Sequence, residues 1–204
     1  MPKHLLEGLQ RFRSELFPRY RDHYARLAAE GQKPTTLFIG CADSRVLPAL
    51  LTDTLPGELF IHRNIGNLVP PFGSPDDHSV AATIEFALQG LGVTDIVVCG
   101  HSHCGAIQAL YDPPRPDSPH LARWLEFARE ARLDEDPTDA VLRRTERRSI
   151  ALQISRLMTY PMIREQVERG ELVLEGWYYV IEDGEVEILD VARGEFVRAD
   201  ELVE

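Results

Sequence analysis

Two short apolar runs lie on either side of a helical pattern between residues 58 and 100. ELFIHRN (58–64) and DIVVCG (95–100) are rich in β-branched and aromatic residues, which is typical of strands. The segment 77–92 between them has helical spacing, and Gly92 is a suitable C-terminal stop. A strand, a helix and a strand in this order favour a parallel sheet, because the connection crosses over one face. We therefore expect an α/β fold.

Further segments extend this sheet and add helices. Three runs have strand composition: TTLFIG (35–40), ELVLEGWYYVI (171–181) and EVEILD (185–190). Asp183-Gly184, between the last two, is a strong hairpin signal. Helices are predicted at 118–133 and 138–158, and prolines predict a loop over 111–119. We expect a mostly parallel central sheet flanked by helices, with a C-terminal hairpin strand.

Residues 3–30 carry an amphipathic helical pattern ahead of the first strand. Pro18 is expected to kink or split this helix. No linker or internal repeat divides the chain, so we expect a single domain over residues 1–204, with 1–30 as an N-terminal helical arm. The apolar positions recur in steps of three and four: Leu5, Leu9, Phe12, Leu16, Tyr20, Tyr24 and Leu27.

Charge and composition argue against several classes of partner. The formal net charge of -11 disfavours nucleic acid and anionic lipid. No apolar run reaches the roughly 18 residues of a membrane span, and the N-terminus lacks the apolar core of a secretory signal. We expect a cytoplasmic protein that binds neither membrane nor nucleic acid. The odd cysteine count argues against a disulfide framework: Cys41, Cys99 and Cys104.

Two of these cysteines follow predicted strands. The first strand continues into CADSRV (41–46), and the third continues into HSHCGA (101–106). Sites in open α/β sheets gather beyond the carboxyl ends of strands, so Cys41, His101 and Cys104 converge if the two strands are neighbours. Two thiolates and one imidazole favour zinc and leave a fourth tetrahedral position open, as in catalytic zinc sites.

The choice of ligands within HSHCGA depends on the local backbone. If a helix begins near His101, Cys104 lies three residues later on the same face. The N-terminus of that helix would also stabilise a thiolate. His103 is adjacent to Cys104 and points elsewhere, so we predict that it is not a ligand. Cys99 lies within the apolar strand and is predicted to belong to the core.

Asp43 and Arg45 follow Cys41 at offsets of two and four. Asp43 could occupy the fourth zinc position or accept a hydrogen bond from zinc-bound water. Arg45 would decide between these roles by holding the carboxylate with paired, charge-assisted hydrogen bonds. A surface ion pair of little energetic value is the alternative. We favour the functional interpretation, because hydrogen-bonded neighbours orient metal sites.

CADSRV followed by GHSHCGA resembles the paired signature of the β-class carbonic anhydrases, Cys-x-Asp-x-Arg and His-x-x-Cys. The resemblance spans roughly residues 30–190 and is closest to the plant and cyanobacterial branch. It continues through GELFIHRNIGNLVPPFG (57–73), TIEFAL (83–88), TYPMIRE (159–165) and EGWYYVIEDGEVEILD (175–190).

This resemblance implies an enzyme for the reversible hydration of carbon dioxide to bicarbonate and a proton. It implies one Zn²⁺ per chain, bound by Cys41, His101 and Cys104. Asp43 and Arg45 match the catalytic dyad of the family. The residues implied to contact substrate are Gln32 and an apolar wall of Phe60, Ile65 and Phe86. The amide of Gly105 is a further candidate, which would stabilise the developing oxyanion. Plain core packing is the alternative for the wall, and Phe86 stands where a tyrosine is frequent.

Another branch of the family has a regulatory bicarbonate site built from Trp, Arg and Tyr. Arg63 and Tyr179 match that site, whereas Phe38 occupies the tryptophan position. With Gln32, this departure predicts that water rather than Asp43 fills the fourth zinc position near neutral pH. Three histidines are candidate proton shuttles: His62, His78 and His103.

Two other functions remain open on the sequence. One is hydrolysis of carbonyl sulfide or carbon disulfide on the same scaffold. The other is a non-catalytic zinc-binding shell or structural protein, against which Asp43, Arg45 and Gln32 argue together. The resemblance also implies a homodimer or homotetramer, in which the 3–30 segment wraps around a partner. Packing of its apolar face on its own sheet is the alternative.

Overall fold

The computed structural model describes residues 2–75, 78–113 and 116–201, and these contain one six-stranded sheet. The strands are β1 (Thr36–Cys41), β2 (Leu59–Asn64), β3 (Asp95–His101), β4 (Val173–Val180), β5 (Glu185–Asp190) and β6 (Glu195–Arg198). Their order across the sheet is β2-β1-β3-β4-β5-β6. The first four run parallel, and β5 and β6 are antiparallel additions. The expected mostly parallel sheet with a C-terminal hairpin is confirmed.

Helices flank the sheet, as expected. They are α1 (Lys3–Arg11), α2 (Phe17–Glu30), α3 (Pro48–Leu51), α4 (Ser79–Glu85), α5 (Gly105–Gln108), α6 (Pro119–Leu125), α7 (Asp139–Leu157) and α8 (Pro161–Glu168). Wide π turns extend α1 over Phe12–Leu16 and α4 over Phe86–Leu91, and 3-10 turns span Ile65–Asn67, Glu126–Ala131 and Ala199–Glu201. None of the helices in the described ranges is long and apolar enough to cross a membrane.

Several predicted boundaries can be compared with these elements. The helix predicted at 77–92 begins at Ser79, and position 77 lies outside the described residues. Its end at Gly92 has the left-handed conformation, with φ 68°. Thr138 caps α7 by accepting a hydrogen bond from the amide of Val141, as a helix beginning at 138 requires. Positions 114 and 115 of the predicted loop, and 1 and 202–204 of the predicted domain, also lie outside the described residues.

Helix α7 packs directly on the centre of the sheet. Its fully buried Ile150 lies over Gly100 of β3 and Gly176 of β4. A Cβ atom at either glycine would come within 2.8 Å of the Ile150 side chain, so only glycine allows this approach. The close contact also brings two buried polar residues of α7, Glu146 and Ser149, beside His101 and Cys104 at the carboxyl end of β3.

The N-terminal arm is helical, and it is divided next to Pro18, as expected. Pro18 lies in the first turn of α2, where proline is tolerated, and the wide turn precedes it. No residue of α1, α2 or the turn between them is buried. The arm meets the rest of the chain near its end, where His23 Nε2 lies 2.7 Å from the Pro56 carbonyl oxygen. Its apolar face is not covered by its own sheet.

Candidate metal centre

Strands β1 and β3 are hydrogen-bonded parallel neighbours, so their carboxyl ends lie side by side. Cys41 is the last residue of β1, and His101 is the last residue of β3. The potential ligand atoms of Cys41, His101 and Cys104 all lie within 4.8 Å of one another, and all three residues are buried. The predicted convergence of these side chains at one edge of the sheet is thus present in the folded chain.

The backbone reaches this arrangement without a helix at His101. The chain turns through Ser102 and His103, Cys104 caps α5, and α5 begins at Gly105. A shared helix face for His101 and Cys104 requires a helix that begins near His101, and this condition is not met. The amide of Ser102 donates to the carbonyl of Tyr179 at 2.9 Å, which continues the β3–β4 pairing past His101 and prevents a helix there. His103 then adopts the left-handed conformation, with φ 58°, and its side chain stays outside the ligand group.

The His101 ring has one nitrogen satisfied and one without a partner. Nδ1 lies 2.9 Å from the carbonyl oxygen of Ser102, so a protonated Nδ1 donates there. Nε2 is buried and has no hydrogen-bond partner among the residues that the structure describes. A buried polar atom without a partner needs an explanation, and a lone pair facing two thiols is a suitable metal ligand. The residues present therefore fit a zinc ion.

The two thiols alter each other's ionisation. The hydrogen bond with Cys104 lowers the pKa of Cys41, with a smaller contribution from His101, against the opposing effect of burial. The same contact and burial raise the pKa of Cys104. One thiolate is thus favoured at the expense of the second. A divalent cation would stabilise both thiolates, as in zinc sites with two cysteine ligands.

Asp43 and Arg45 form a closed pair beside the ligand group. Asp43 Oδ1 accepts hydrogen bonds from Arg45 Nε and from the Arg45 amide, each at 2.9 Å. Asp43 Oδ2 accepts one from Arg45 Nη2 at 2.7 Å, and it lies 3.9 Å from His101 Nε2. These bonds hold the pKa of Asp43 well below its usual range. Arg45 Nη2 also donates to the His103 carbonyl at 3.1 Å, which ties the pair to the β3 loop.

Arg63 also holds the loop after β1. Its Nε donates to the Cys41 carbonyl at 3.0 Å, and its Nη2 donates to the Asp43 carbonyl at 2.7 Å. Phe38 is buried and packs edge-on against Trp177, with ring centroids 6.1 Å apart. In this chain the arginine that matches the regulatory bicarbonate site is therefore engaged with backbone carbonyls.

The residues predicted to contact substrate do not all lie at the carboxyl ends of the strands, which form the edge of the sheet that carries the metal ligands. Gly105 directly follows Cys104, and Ile65 follows Asn64, which is level with Cys41. Phe60 is level with Leu37, four residues before Asn64 on β2, which is about 13 Å along a strand. Gly105 and Ile65 thus lie at the edge that carries the metal ligands, whereas Phe60 does not.

Phe86 and Gln32 also lie away from this edge. The Phe86 ring packs on Phe60 with centroids 5.7 Å apart, and 53% of Phe86 is exposed. Gln32 is an exposed residue between α2 and β1, so it precedes the amino end of β1. Within one chain, Gln32, Phe60 and Phe86 are therefore not assembled around the metal ligands.

The candidate proton shuttles occupy three different environments. His103 lies in the metal loop, and its Nε2 is 3.5 Å from Glu182 Oε1. His62 lies on β2, where its Nδ1 is 3.2 Å from the Thr83 hydroxyl. His78 directly precedes α4. Which of them moves a proton stays a prediction.

Glu146 is a neighbour of the metal group that the sequence analysis misses. It is buried within α7, and Oε1 accepts a hydrogen bond from the Cys104 amide at 2.9 Å. Oε2 accepts one from the Tyr178 hydroxyl at 2.6 Å, and burial raises the pKa of Glu146. The run RRTERR around it is typical of an exposed helix. The available signal is its spacing of four from Ile150 and seven from Gln153, which places all three on one face.

Comparisons with known proteins agree with this geometry. The carbonic anhydrase family model matches residues 36–186. A carbonic anhydrase of Pseudomonas aeruginosa is 42% identical over 199 residues, covering 95% of this chain and 90% of the relative. One from Synechococcus elongatus is 41% identical over 197 residues, covering 93% of this chain and 71% of the relative.

Solved structures give the same assignment. The structure of the β-carbonic anhydrase CcaA has a TM-score of 0.91 and 39% identity, covering 96% of this chain and 91% of that chain. A structure of tetrameric β-carbonic anhydrases from Sordaria macrospora has a TM-score of 0.81 and 28% identity, covering 92% and 95%. The chain therefore belongs to the β class of the carbonic anhydrase family.

Proposed function

We propose that this chain catalyses the reversible hydration of carbon dioxide to bicarbonate and a proton, with one Zn²⁺ held by Cys41, His101 and Cys104. The observation that carries the proposal is the unpartnered, buried Nε2 of His101, which lies among two thiols and beside the closed Asp43–Arg45 pair. Bound zinc supplies acidification of water, lowering its pKa from 15.7 to about 7.

Asp43 has the role of orienting the attacking water. Oδ1 already accepts two hydrogen bonds from Arg45, whereas Oδ2 accepts one and keeps a lone pair for a water proton. Because Arg45 holds both oxygens, turning the carboxylate onto the metal would break two charge-assisted bonds. This geometry supports water, rather than Asp43, as the fourth zinc ligand. The amide of Gly105 is available to stabilise the developing oxyanion at the same edge.

We further propose that the carbon dioxide site is completed by a second copy of the chain. Within one chain, Phe60 lies about 13 Å along β2 from the level of Cys41, and Phe86 is half exposed. A partner that presents Gln32, Phe60 and Phe86 to the ligand edge would assemble the wall. Ile65, also half exposed, adds to it from beside the metal group.

A homodimer or homotetramer is the assembly we propose. It is supported by the tetrameric relatives and by the arm, whose apolar side chains are exposed: Leu5, Leu9, Phe12 and Leu16. A second copy would cover this face. The cytoplasmic location and the absence of nucleic-acid binding stay predictions.

The test combines metal content with stopped-flow hydration of carbon dioxide by the full-length protein. We expect about one zinc per chain, loss of activity when a chelator removes the metal, and recovery on reloading. Zinc-loaded protein without carbon dioxide hydration between about pH 7 and pH 9 would refute the catalytic proposal. Parallel assays with carbonyl sulfide and carbon disulfide separate this activity from the alternative hydrolase.

A further inference from the structure

Glu146 is a buried carboxylate whose position the fold alone does not explain. Its exposure is 3%, and it lies in the middle of α7 rather than at a helix end. Burying a carboxylate is unfavourable unless hydrogen bonds or charges compensate for the lost water. A leucine would complete the apolar face next to Ile150 at lower cost. Glu146 therefore needs a role outside the packing of α7.

The two oxygens of Glu146 join two elements at the carboxyl edge of the sheet. Oε1 accepts from the amide of Cys104, ahead of α5, and Oε2 accepts from the hydroxyl of Tyr178 on β4. The Cys104 amide belongs to a helix cap, so no bond of the α5 ladder satisfies it. Glu146 thus supplies a partner for a buried donor that the short helix leaves open.

The contact acts on the residue whose side chain closes the ligand group. Cys104 follows the left-handed His103, whose carbonyl accepts a hydrogen bond from Arg45, and the contact with Glu146 fixes the next amide along the chain. Glu146, Cys104 and His101 also line one small pocket. Fixing the Cys104 amide fixes the direction of its Cα–Cβ bond, and hence the place of Sγ relative to Cys41 and His101.

We propose that Glu146 is a positioning residue of the metal centre, which holds the Cys104 backbone so that its thiolate meets the other two ligands before the metal arrives. This inference rests on the metal-binding role proposed above for Cys41, His101 and Cys104. Residues that orient ligands from outside the coordination sphere typically change metal affinity by about 10- to 100-fold when they are replaced.

Three variants of the full chain distinguish a role of Glu146 in positioning Cys104 from a role of its negative charge and from a role in core packing. Glu146→Leu removes both acceptors. Glu146→Gln keeps the position, because its amide oxygen can accept from Cys104 and its NH₂ can donate to the Tyr178 oxygen. Thr145→Val is the matched control: this neighbour is also buried on α7, but its hydroxyl contacts the Tyr111 hydroxyl at 2.6 Å, away from the metal loop.

Zinc and cobalt affinities are measured by chelator competition, together with the thiolate–cobalt absorption band and the thermal midpoint of the metal-free protein. We expect Glu146→Leu to weaken both affinities by about 10- to 100-fold with a weaker band, and the other two variants to stay close to the parent. The parental midpoint should persist in metal-free Glu146→Leu.

Other outcomes overturn the inference. Parental affinity in Glu146→Leu would show that the contact does not position Cys104. If Glu146→Gln bound metal as weakly as Glu146→Leu, the loss of affinity would come from the missing negative charge and not from the position of Cys104. A metal-free Glu146→Leu chain that does not fold would make Glu146 a residue of the general core. A parent protein that binds neither metal would instead refute the proposed metal site itself.

Discussion

Arg45 donates two parallel hydrogen bonds to the carboxylate of Asp43, from Nε to Oδ1 at 2.9 Å and from Nη2 to Oδ2 at 2.7 Å. Only a guanidinium can make this planar fork, because lysine presents a point charge on a flexible stem. The pair keeps the carboxylate beside the ligand group without letting it turn freely. The chemistry proposed for the site depends on this restraint.

Replacement of Arg45 by lysine should show whether activity needs the paired hydrogen bonds to Asp43 or only a positive charge. We expect Arg45→Lys to retain about one zinc per chain and to lose about 10- to 100-fold in kcat/KM for carbon dioxide, since Asp43 can then turn toward the metal. Stopped-flow kinetics and metal analysis check this. Arg129→Lys, which alters the surface pair with Glu126, is the control and should match the parent. Parental kinetics in Arg45→Lys would contradict the restraint.

Cys104 and Cys99 should differ in their effect on metal content. Cys104→Ser should remove most bound zinc, because a serine hydroxyl does not ionise as a thiol does and is a poor zinc ligand. Cys99→Ala is the matched control. Cys99 is fully buried in β3, its pKa is raised to about 12 by burial, and it lies outside the ligand group. Elemental analysis after dialysis measures the zinc content of each variant. Equal zinc contents would show that Cys104 is not a ligand.

The Asp43–Arg45 pair also predicts how stability depends on pH. A carboxyl group with a lower pKa in the folded state stabilises the fold above its unfolded pKa of about 3.9, and this contribution is lost as the pH falls toward the folded pKa. The difference in unfolding free energy between the metal-free parent and Asp43→Asn should be constant above about pH 5 and shrink in more acidic solution. Urea unfolding of both proteins from about pH 3 to pH 7 measures it. A difference that grows toward low pH has the wrong sign for this pair.

The exposed apolar face of the arm predicts its effect on assembly. A triple variant with serine at Leu5, Leu9 and Phe12 should dissociate into smaller species, because these side chains are not buried in their own chain. Light scattering after size-exclusion chromatography reports the mass. Serine at the exposed polar positions Glu7, Gln10 and Arg13 is the control and should leave the mass unchanged. An unchanged mass in the apolar variant would show that the arm does not hold the assembly.

The ligand group could be predicted because each part of it follows an unambiguous strand. Cys41 and His101 end β1 and β3. The prediction depends on these two strands being neighbours, and the strand order β2-β1-β3 meets that condition. The four-residue β6 escapes prediction because EFVR is too short to show a period, and its pairing depends on the preceding turn at Gly194. Sequence composition alone predicts an element only where residues close together in the chain determine it.

The parts of the site that could not be predicted depend on contacts distant in sequence. The left-handed turn at His103 follows from the bond between the Ser102 amide and the Tyr179 carbonyl, on the next strand of the sheet. Glu146 reaches Cys104 only because glycines of β3 and β4 let α7 approach closely. No spacing rule within a single element reports such contacts.

Because Phe60 lies far from Cys41 along the sheet, each site in the proposed dimer contains residues of both chains. This arrangement predicts how two defective alleles behave together. An allele that damages the ligand edge and an allele that damages Gln32 or Phe60 would each encode an inactive homodimer. When both are expressed together, the mixed dimer combines the intact ligand edge of one product with the intact opposite edge of the other. One of its two centres is then whole, so two null alleles of this gene can complement each other.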